Sequence, residues 1–239
     1  MLGSVPKTAL VLAGGRGERL RPLTNDRPKP MVELNGRPIL EHHLEWLRAN
    51  GVERAVVLTG YLGGVVRDHF AVERVAGLRV ECLQEERPLG RGGALRKGFE
   101  HARADGDVVA TNGDVVTDQA LSELAAAHER TGADATLLLK RLVSQYGIVE
   151  AGEDGLVRGF EEKPALPYWI NAGVYVLSPR ALARFPEEGD HETAVFPALA
   201  QEGRLAWWGC TGYWQSVETL KDLGLAEERL REAVRSARE

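Results

Sequence analysis

Residues 12–31 read LAGGRGERLRPLTNDRPKPM, and this stretch concentrates the chemistry of the chain. Gly14, Gly15 and Gly17 permit positive φ and close backbone approach, so the loop can turn its N–H groups inward around an anion. Arg16, Arg19, Arg21, Arg27 and Lys29 crowd the same segment. That density of cations beside a glycine turn suits a polyphosphate better than a carboxylate or an apolar ligand. Leu20 stands where a G-x-G-x-x-G loop needs its last glycine, and no Gly-Lys-Ser/Thr follows, which excludes the two common phosphate loops and counts against a dinucleotide-dependent dehydrogenase. A second glycine-rich stretch, Gln84 to Ala94, and a carboxylate, Asp114, in Thr111-Asn112-Gly113-Asp114 complete the reactive inventory.

Strands and helices must alternate to position these groups. Thr8 to Leu12, Ala55 to Leu58, Leu78 to Leu83, Asp107 to Ala110 and Ala135 to Lys140 read as strands. Helices are predicted from Pro38 to Asn50-Gly51, over Val65 to Phe70, from Ala94 onward and over Leu121 to His128. This alternation implies an α/β fold, a Rossmann-like, mostly parallel mixed sheet flanked by helices. Asp114 then sits just past the C-terminal end of a strand, where such sheets place ligands and metals; alone, it also reads as a cap for the following helix. From Tyr146 the strands shorten: 147–150 and 156–160 flank a turn at Gly152 to Gly155, and Ile170 to Val176 follows. From Thr219 the tail is a charged amphipathic helix. His42 and His43 read as helix-surface or partly packed residues, with no third metal ligand near them in sequence.

Composition narrows the function classes. A length of 239 residues with 44% hydrophobic content supports one large domain or two unequal lobes, and a net charge of -5 leaves no basic footprint for nucleic acid. Cys82 and Cys210 form neither a zinc motif nor a disulfide framework. With no signal-like N-terminus and no run of transmembrane length, the expectation is a cytoplasmic protein that binds no membrane.

The pattern L-A-G-G-x-G-x-R-L-x-P-L-T-x-x-x-P-K-P-M, from Leu12 to Met31, resembles the signature of the sugar-1-phosphate nucleotidylyltransferases. The resemblance extends from Leu10 to Leu223 and implies a GT-A-like nucleotidyltransferase fold without a β-helix extension. It divides a single domain, 1–239, into a nucleotide-binding lobe (1–140), a sugar-binding lobe (141–215) and a C-terminal helical tail (216–239). It implies transfer of a nucleoside monophosphate from a triphosphate to a sugar-1-phosphate with Mg²⁺, and it allows a homodimer.

The resemblance also assigns residues. Arg19, Lys29, Asp114 and Lys163 would be catalytic. Leu12, Ala13, Gly14, Gly15 and Gly17, with Gln84, Glu85, Glu86, Gly90, Gly92, Asn112 and Gly113, would bind the nucleotide. Gly147, Glu162, Asn171 and Gly173 would bind the sugar. Asp114 would ligate the metal. At the second metal position, where many members carry Asp in W-x-D-x-G-T, this chain has Ser216; the stretch Trp214 to Asp222 is instead similar to the W-Q-x-M-D-T-L-x-D variant of glucose-1-phosphate cytidylyltransferases, which gives the role to Glu218. The loop from Glu86 to Ala94 resembles E-P-L-G-T-G-G-A of mannose- and heptose-1-phosphate guanylyltransferases, with an extra Arg87 and with Arg91 in place of Thr. A carboxylate at Glu85 or Glu86 would accept the guanine N–H donors, which favours GTP and a mannose- or heptose-like acceptor. The tail motif pulls instead toward CTP and glucose-1-phosphate, and a UTP- or dTTP-using enzyme stays open. A nucleotide-sugar sensor that has lost catalysis is the rival of another class.

Overall fold

The computed structural model of the chain describes residues 3–236. In chain order the elements are β1 (Thr8–Leu12), β2 (Glu33–Leu34), β3 (Arg37–Pro38), α1 (Ile39–Ala49), β4 (Arg54–Thr59), α2 (Gly63–Val72) and β5 (Arg79–Gln84). Then come α3 (Gly90–Ala102), β6 (Val108–Asn112), β7 (Val115–Thr117), α4 (Leu121–Thr131) and β8 (Ala135–Val143). The second half holds β9 (Ile148–Ala151), β10 (Val157–Glu161), β11 (Ala165–Leu177), α5 (Pro179–Leu182), α6 (His191–Ala194), α7 (Phe196–Gln201), β12 (Leu205–Gly209), β13 (Trp214–Ser216) and α8 (Leu220–Ser236).

Seven strands form the main sheet in the order β12-β8-β11-β6-β1-β4-β5. β1 pairs in parallel with both β4 and β6, and β12 with β8; β11 alone runs antiparallel, between β6 and β8. The continuous apolar runs of the central strands follow from burial on both faces. Ala9 and Val11 meet Leu40, Leu44, Leu121 and Leu124 of α1 and α4 on one face; Leu10 meets Leu95 of α3 and Phe185, Phe196 and Leu199 on the other. This is the α/β, mostly parallel mixed sheet that the alternation predicts.

Three features depart from the sequence reading. The glycine-rich stretch 90–93 is not a loop but the first turn of α3, whose Gly92 N–H donates to the Gly189 carbonyl at 2.9 Å. A Cβ at Gly93 would lie 2.4 Å from the Glu187 carbonyl oxygen, so here glycine serves close backbone packing within a helix. His43 is fully buried rather than on the helix surface, and its Nδ1–H donates to the Val115 carbonyl at 2.8 Å because β7 crosses α1. Finally, Trp214–Ser216, not read as a strand, forms one ahead of the helical tail, which starts at Leu220, one residue past the Thr219 expected.

That strand matters for the site. β13 pairs antiparallel with β7, Ser216 opposite Val115, and the Val217 N–H donates to the Asp114 carbonyl at 3.0 Å. Asp114 therefore precedes a strand and caps no helix. Leu20, Val32, Leu34, Ile39, Val116, Val217 and Ala226 form a separate small core that fixes the first glycine loop against β13 and α8. The β9–β10 hairpin forms its own two-stranded sheet, with Ile148, Val149, Val157 and Phe160 exposed.

Candidate active site

The loop after β1 opens at the C-terminal edge of the sheet. Gly17 has φ 62°, and a Cβ there would fall 2.7 Å from the Lys29 Cβ, so only glycine lets the loop cross over the lysine. Thr24 ties the crossing by donating from Oγ1 to the Gly17 carbonyl at 2.9 Å. Lys29 lies in a single 3₁₀ turn flanked by Pro28 and Pro30, which fixes where its side chain leaves the backbone.

Lys29 Nζ contacts the Asp114 carboxylate and lies 2.9 Å from Glu218 Oε2; Arg19 reaches the same Glu218 oxygen at 2.6 Å. Burial lowers the proton affinity of the Lys29 ammonium, but Asp114 and Glu218 outweigh it and hold the group above the ordinary lysine value. Lys29 is thus a fixed positive charge rather than a proton donor. Asp114 Oδ1 is buried with no hydrogen-bond partner among the described residues. Glu218 is braced from behind: Asp222 Oδ2 accepts from the Glu218 N–H at 3.2 Å and the Thr219 N–H at 2.9 Å, and Gln215 Nε2 donates to Asp222 Oδ1 at 3.1 Å. Ser216 Oγ donates to Glu218 Oε1 at 3.4 Å.

A cleft of about 390 Å³ rises from this cluster. Of the residues expected to bind nucleotide, Leu12, Ala13, Gly14, Gly15, Glu85, Gly90 and Asn112 line it together with Lys29, Asp114 and Glu218. Glu85 accepts from the Leu89 N–H at 3.3 Å, and burial pushes its carboxyl above the usual glutamate range. Gln84 and Glu86 are exposed and lie outside the cleft lining. Gly92 is buried against the 187–191 segment, and Gly113 packs against the Leu12 carbonyl. The cation cluster read from sequence is also divided. Arg27 turns away to Asp26 and Glu33, and Arg16 lies over the Tyr61 ring, 5.8 Å from its centroid.

The residues expected on the sugar side form two groups apart from the cleft lining. Lys163, at φ 49°, is exposed and 3.5 Å from Glu162, and Gly147 abuts the Phe160 ring and Glu162. Asn171 donates from Nδ2 to Tyr175 Oη and to Glu192 Oε1, both at 2.8 Å, and accepts from the Gly173 N–H at 3.0 Å. Gly173, at φ 69°, lies against the Asn112 side chain, where a Cβ would be 2.4 Å from Nδ2. Sequence reasoning missed that Arg91 lines the cleft and that Asp190 and Glu192 hold it. These carboxylates lie about a hundred positions away in a segment without periodic signal; the replacement of Thr by Arg91 was the only hint.

The nucleotidyl transferase family profile matches residues 8–232. The mannose-1-phosphate guanylyltransferase of Mycobacterium tuberculosis is 37% identical over 222 residues, covering 90% of this chain and 62% of the relative. The catalytic subunit beta of mannose-1-phosphate guanylyltransferase from Xenopus tropicalis is 34% identical over the same length, again covering 90% of this chain and 62% of the relative. The chain therefore spans 62% of the length of these curated relatives. HddC from Yersinia pseudotuberculosis superposes with a TM-score of 0.76 at 24% identity, covering 94% of this chain and 99% of that one. The same protein complexed with GMP-PN gives 0.75 at 23% identity over the same shares. At that identity the likeness establishes the fold.

Proposed function

The chain belongs to the nucleotidyl transferase family, and on that premise we propose that it transfers a guanylyl group from GTP to a mannose- or heptose-like sugar-1-phosphate, releasing pyrophosphate. The observation that carries this reading is the Lys29 ammonium shared between Asp114 and Glu218, with Arg19 on the same Glu218, at the base of a cleft walled by the glycine loop and Glu85. The names of the curated relatives support the choice of base and sugar.

A sugar phosphate has a second pKa of about 6 and is largely a dianion at neutral pH. Its oxygen attacks the α-phosphorus as the bond from that phosphorus to the bridging oxygen breaks, and pyrophosphate leaves with the bonding electrons. No general base is needed; the barrier is alignment and charge. The backbone of Gly14 and Gly15 faces the triphosphate. Lys29, held protonated by its two carboxylates, lies against the phosphate oxygens, and Arg19 steadies the departing pyrophosphate. Glu85, not Glu86, accepts from the guanine N–H donors. Lys163 binds the sugar phosphate, with Glu162, Gly147, Asn171 and Gly173 around the sugar. The exposure of Lys163 fits a residue that ligand contact draws in.

Mg²⁺ takes oxygen ligands from one or two carboxylates and completes its shell with phosphates and water. Among the described residues no cluster of three or more His, Cys, Asp or Glu is placed to hold a metal unaided. The unpartnered Asp114 Oδ1 and the adjacent Glu218 supply the carboxylates such an ion requires. When bound, it would neutralise charge on the triphosphate. Division into the lobes 1–140 and 141–215 and a homodimer belong to the same proposal.

The test is pyrophosphate release with Mg²⁺, crossing GTP, CTP, UTP, dTTP and ATP with mannose-, glucose- and heptose-1-phosphates. Release should require GTP and a mannose- or heptose-type acceptor. Release with CTP and glucose-1-phosphate alone would refute the guanylyl assignment while keeping the reaction class. Nucleotide binding without release from any pair would favour a sensor.

A further inference from the structure

We propose that Arg91 is a specificity-determining residue that donates a hydrogen bond to a sugar hydroxyl of a bound substrate. The proposal rests on the guanylyl-transfer reading of the cleft and adds a contact that the family pattern quoted above, with Thr at this position, does not contain. Arg91 sits in the first turn of α3 and lines the cleft. Its Nε donates to Asp190 Oδ2 at 2.9 Å, and its Nη2 engages both Asp190 and Glu192, the latter at 2.7 Å. Those bonds fix the guanidinium plane by two edges. Among the described residues Nη1 makes no hydrogen bond, which leaves its N–H donors for a ligand in the cleft that Arg91 lines.

Charge decides what that ligand group is. One guanidinium faces two carboxylates, so the locus carries net negative charge and disfavours a phosphate. A neutral hydroxyl is the complementary group. The other end of the network agrees. Glu192 Oε1 accepts from Asn171 Nδ2 at 2.8 Å and from Tyr175 Oη at 3.0 Å, so the Asn171 amide donors are consumed and only Oδ1 retains acceptor capacity. Arg91 and Asn171 are linked through the Glu192 carboxylate, so the network that holds Arg91 at the cleft reaches a residue expected beside the sugar. The hydroxyl comes from the acceptor sugar or from the ribose of the nucleotide.

Substrate-deletion cycles test this. kcat/KM is measured for the wild type, Arg91→Met and Arg91→Lys with GTP, 2′-deoxy-GTP and 3′-deoxy-GTP, and with mannose-1-phosphate and its singly deoxygenated analogues. Arg91→Met should lower kcat/KM roughly 10- to 100-fold for the parent pair. That loss should vanish for one deoxy analogue: a deoxy sugar phosphate assigns the contact to the acceptor, a deoxy nucleotide to the ribose. Arg91→Lys keeps the charge, loses the fork and should behave like Arg91→Met; it carries the cycle if Arg91→Met does not fold. An equal loss on every analogue, or no loss at all, overturns the proposal. Absence of turnover in the wild type would sink the guanylyl-transfer reading separately. The same cycle would then be run on calorimetric dissociation constants for GDP-mannose and its deoxy forms, with the same criteria.

Discussion

Replacing Lys29 by Met separates what the lysine does for the fold from what it does in the reaction. Its side chain is 13% exposed and satisfies Asp114, at 11%, and Glu218, at 33%. Removing one partner of a buried pair costs about 3–5 kcal/mol. Here the cleft admits water and Arg19 stays on Glu218, so about 1–3 kcal/mol is the expected loss in stability. For a chain of this length that lowers Tm by roughly 3–10 °C. Turnover should fall further, by about 100- to 1000-fold, the scale seen when one preorganised charge at a developing anion is removed. At the proposed Mg²⁺ site the ion and the ammonium would compete for the same carboxylates, so Mg²⁺ should raise the Tm of Lys29→Met more than that of the wild type. Scanning calorimetry with and without Mg²⁺, together with pyrophosphate release, measures both. A variant with kcat within about threefold of wild type, under ~0.7 kcal/mol of barrier, would refute the charge role; an Mg²⁺ response equal to wild type would refute the competition.

Asp114→Asn preserves shape while removing the charge beside Lys29, so circular dichroism should stay native and pyrophosphate release should fall below detection; a wild-type rate would remove Asp114 from the mechanism. Glu85→Gln should raise the KM for GTP by roughly 10-fold with little change in kcat, since it exchanges a charged acceptor for an amide. In the wild type, burial raises the Glu85 carboxyl, so GTP affinity should decline with falling pH from a higher pH than an ordinary glutamate would give, and a KM–pH profile reads it. Stability should also fall with acid. Burial lowers His43 and His191 from 6.5 to about 4, so between those values the unfolded chain takes up protons that the native chain does not. The native state keeps its full margin above pH 6.5 and loses up to roughly 3 kcal/mol per histidine by pH 4, measurable by urea titration across that range.

Local signals made the strands and helices of the parallel region legible. The run at Thr8–Leu12 and the spacing of Leu40, Leu44 and Leu47 each point to one element whatever the tertiary context. β7, β12 and β13 were not legible, because three to five residues without alternation carry no periodicity and form only where a partner strand exists. The glycines at 90–93 read as a loop because intrinsic preference argues against helix; the backbone of Gly189 and Glu187 packs against them and overrides it. In the site, residues inside one motif, such as Gly17 and Lys29, could be related by sequence alone. The Arg91–Glu192–Asn171 chain could not, since its members share no element and their relation exists only after the sheet has formed.

The placement of β11 bears on how the protein moves. Val174 pairs with Thr111 and Tyr175 with Ala110, so the strand leading to Asn112 and Asp114 and the strand leaving Asn171 and Gly173 are hydrogen-bonded neighbours. Asn112 and Asp114 in the cleft and the Asn171–Gly173 segment beside it thus share one rigid ladder rather than facing each other across a linker. A rocking motion between them would have to tear that ladder, so adjustment to ligands falls to side chains, the β9–β10 hairpin and loops. Amides of Thr111 and Val176 should accordingly exchange with deuterium only through global unfolding, whereas those of the hairpin should exchange by local opening.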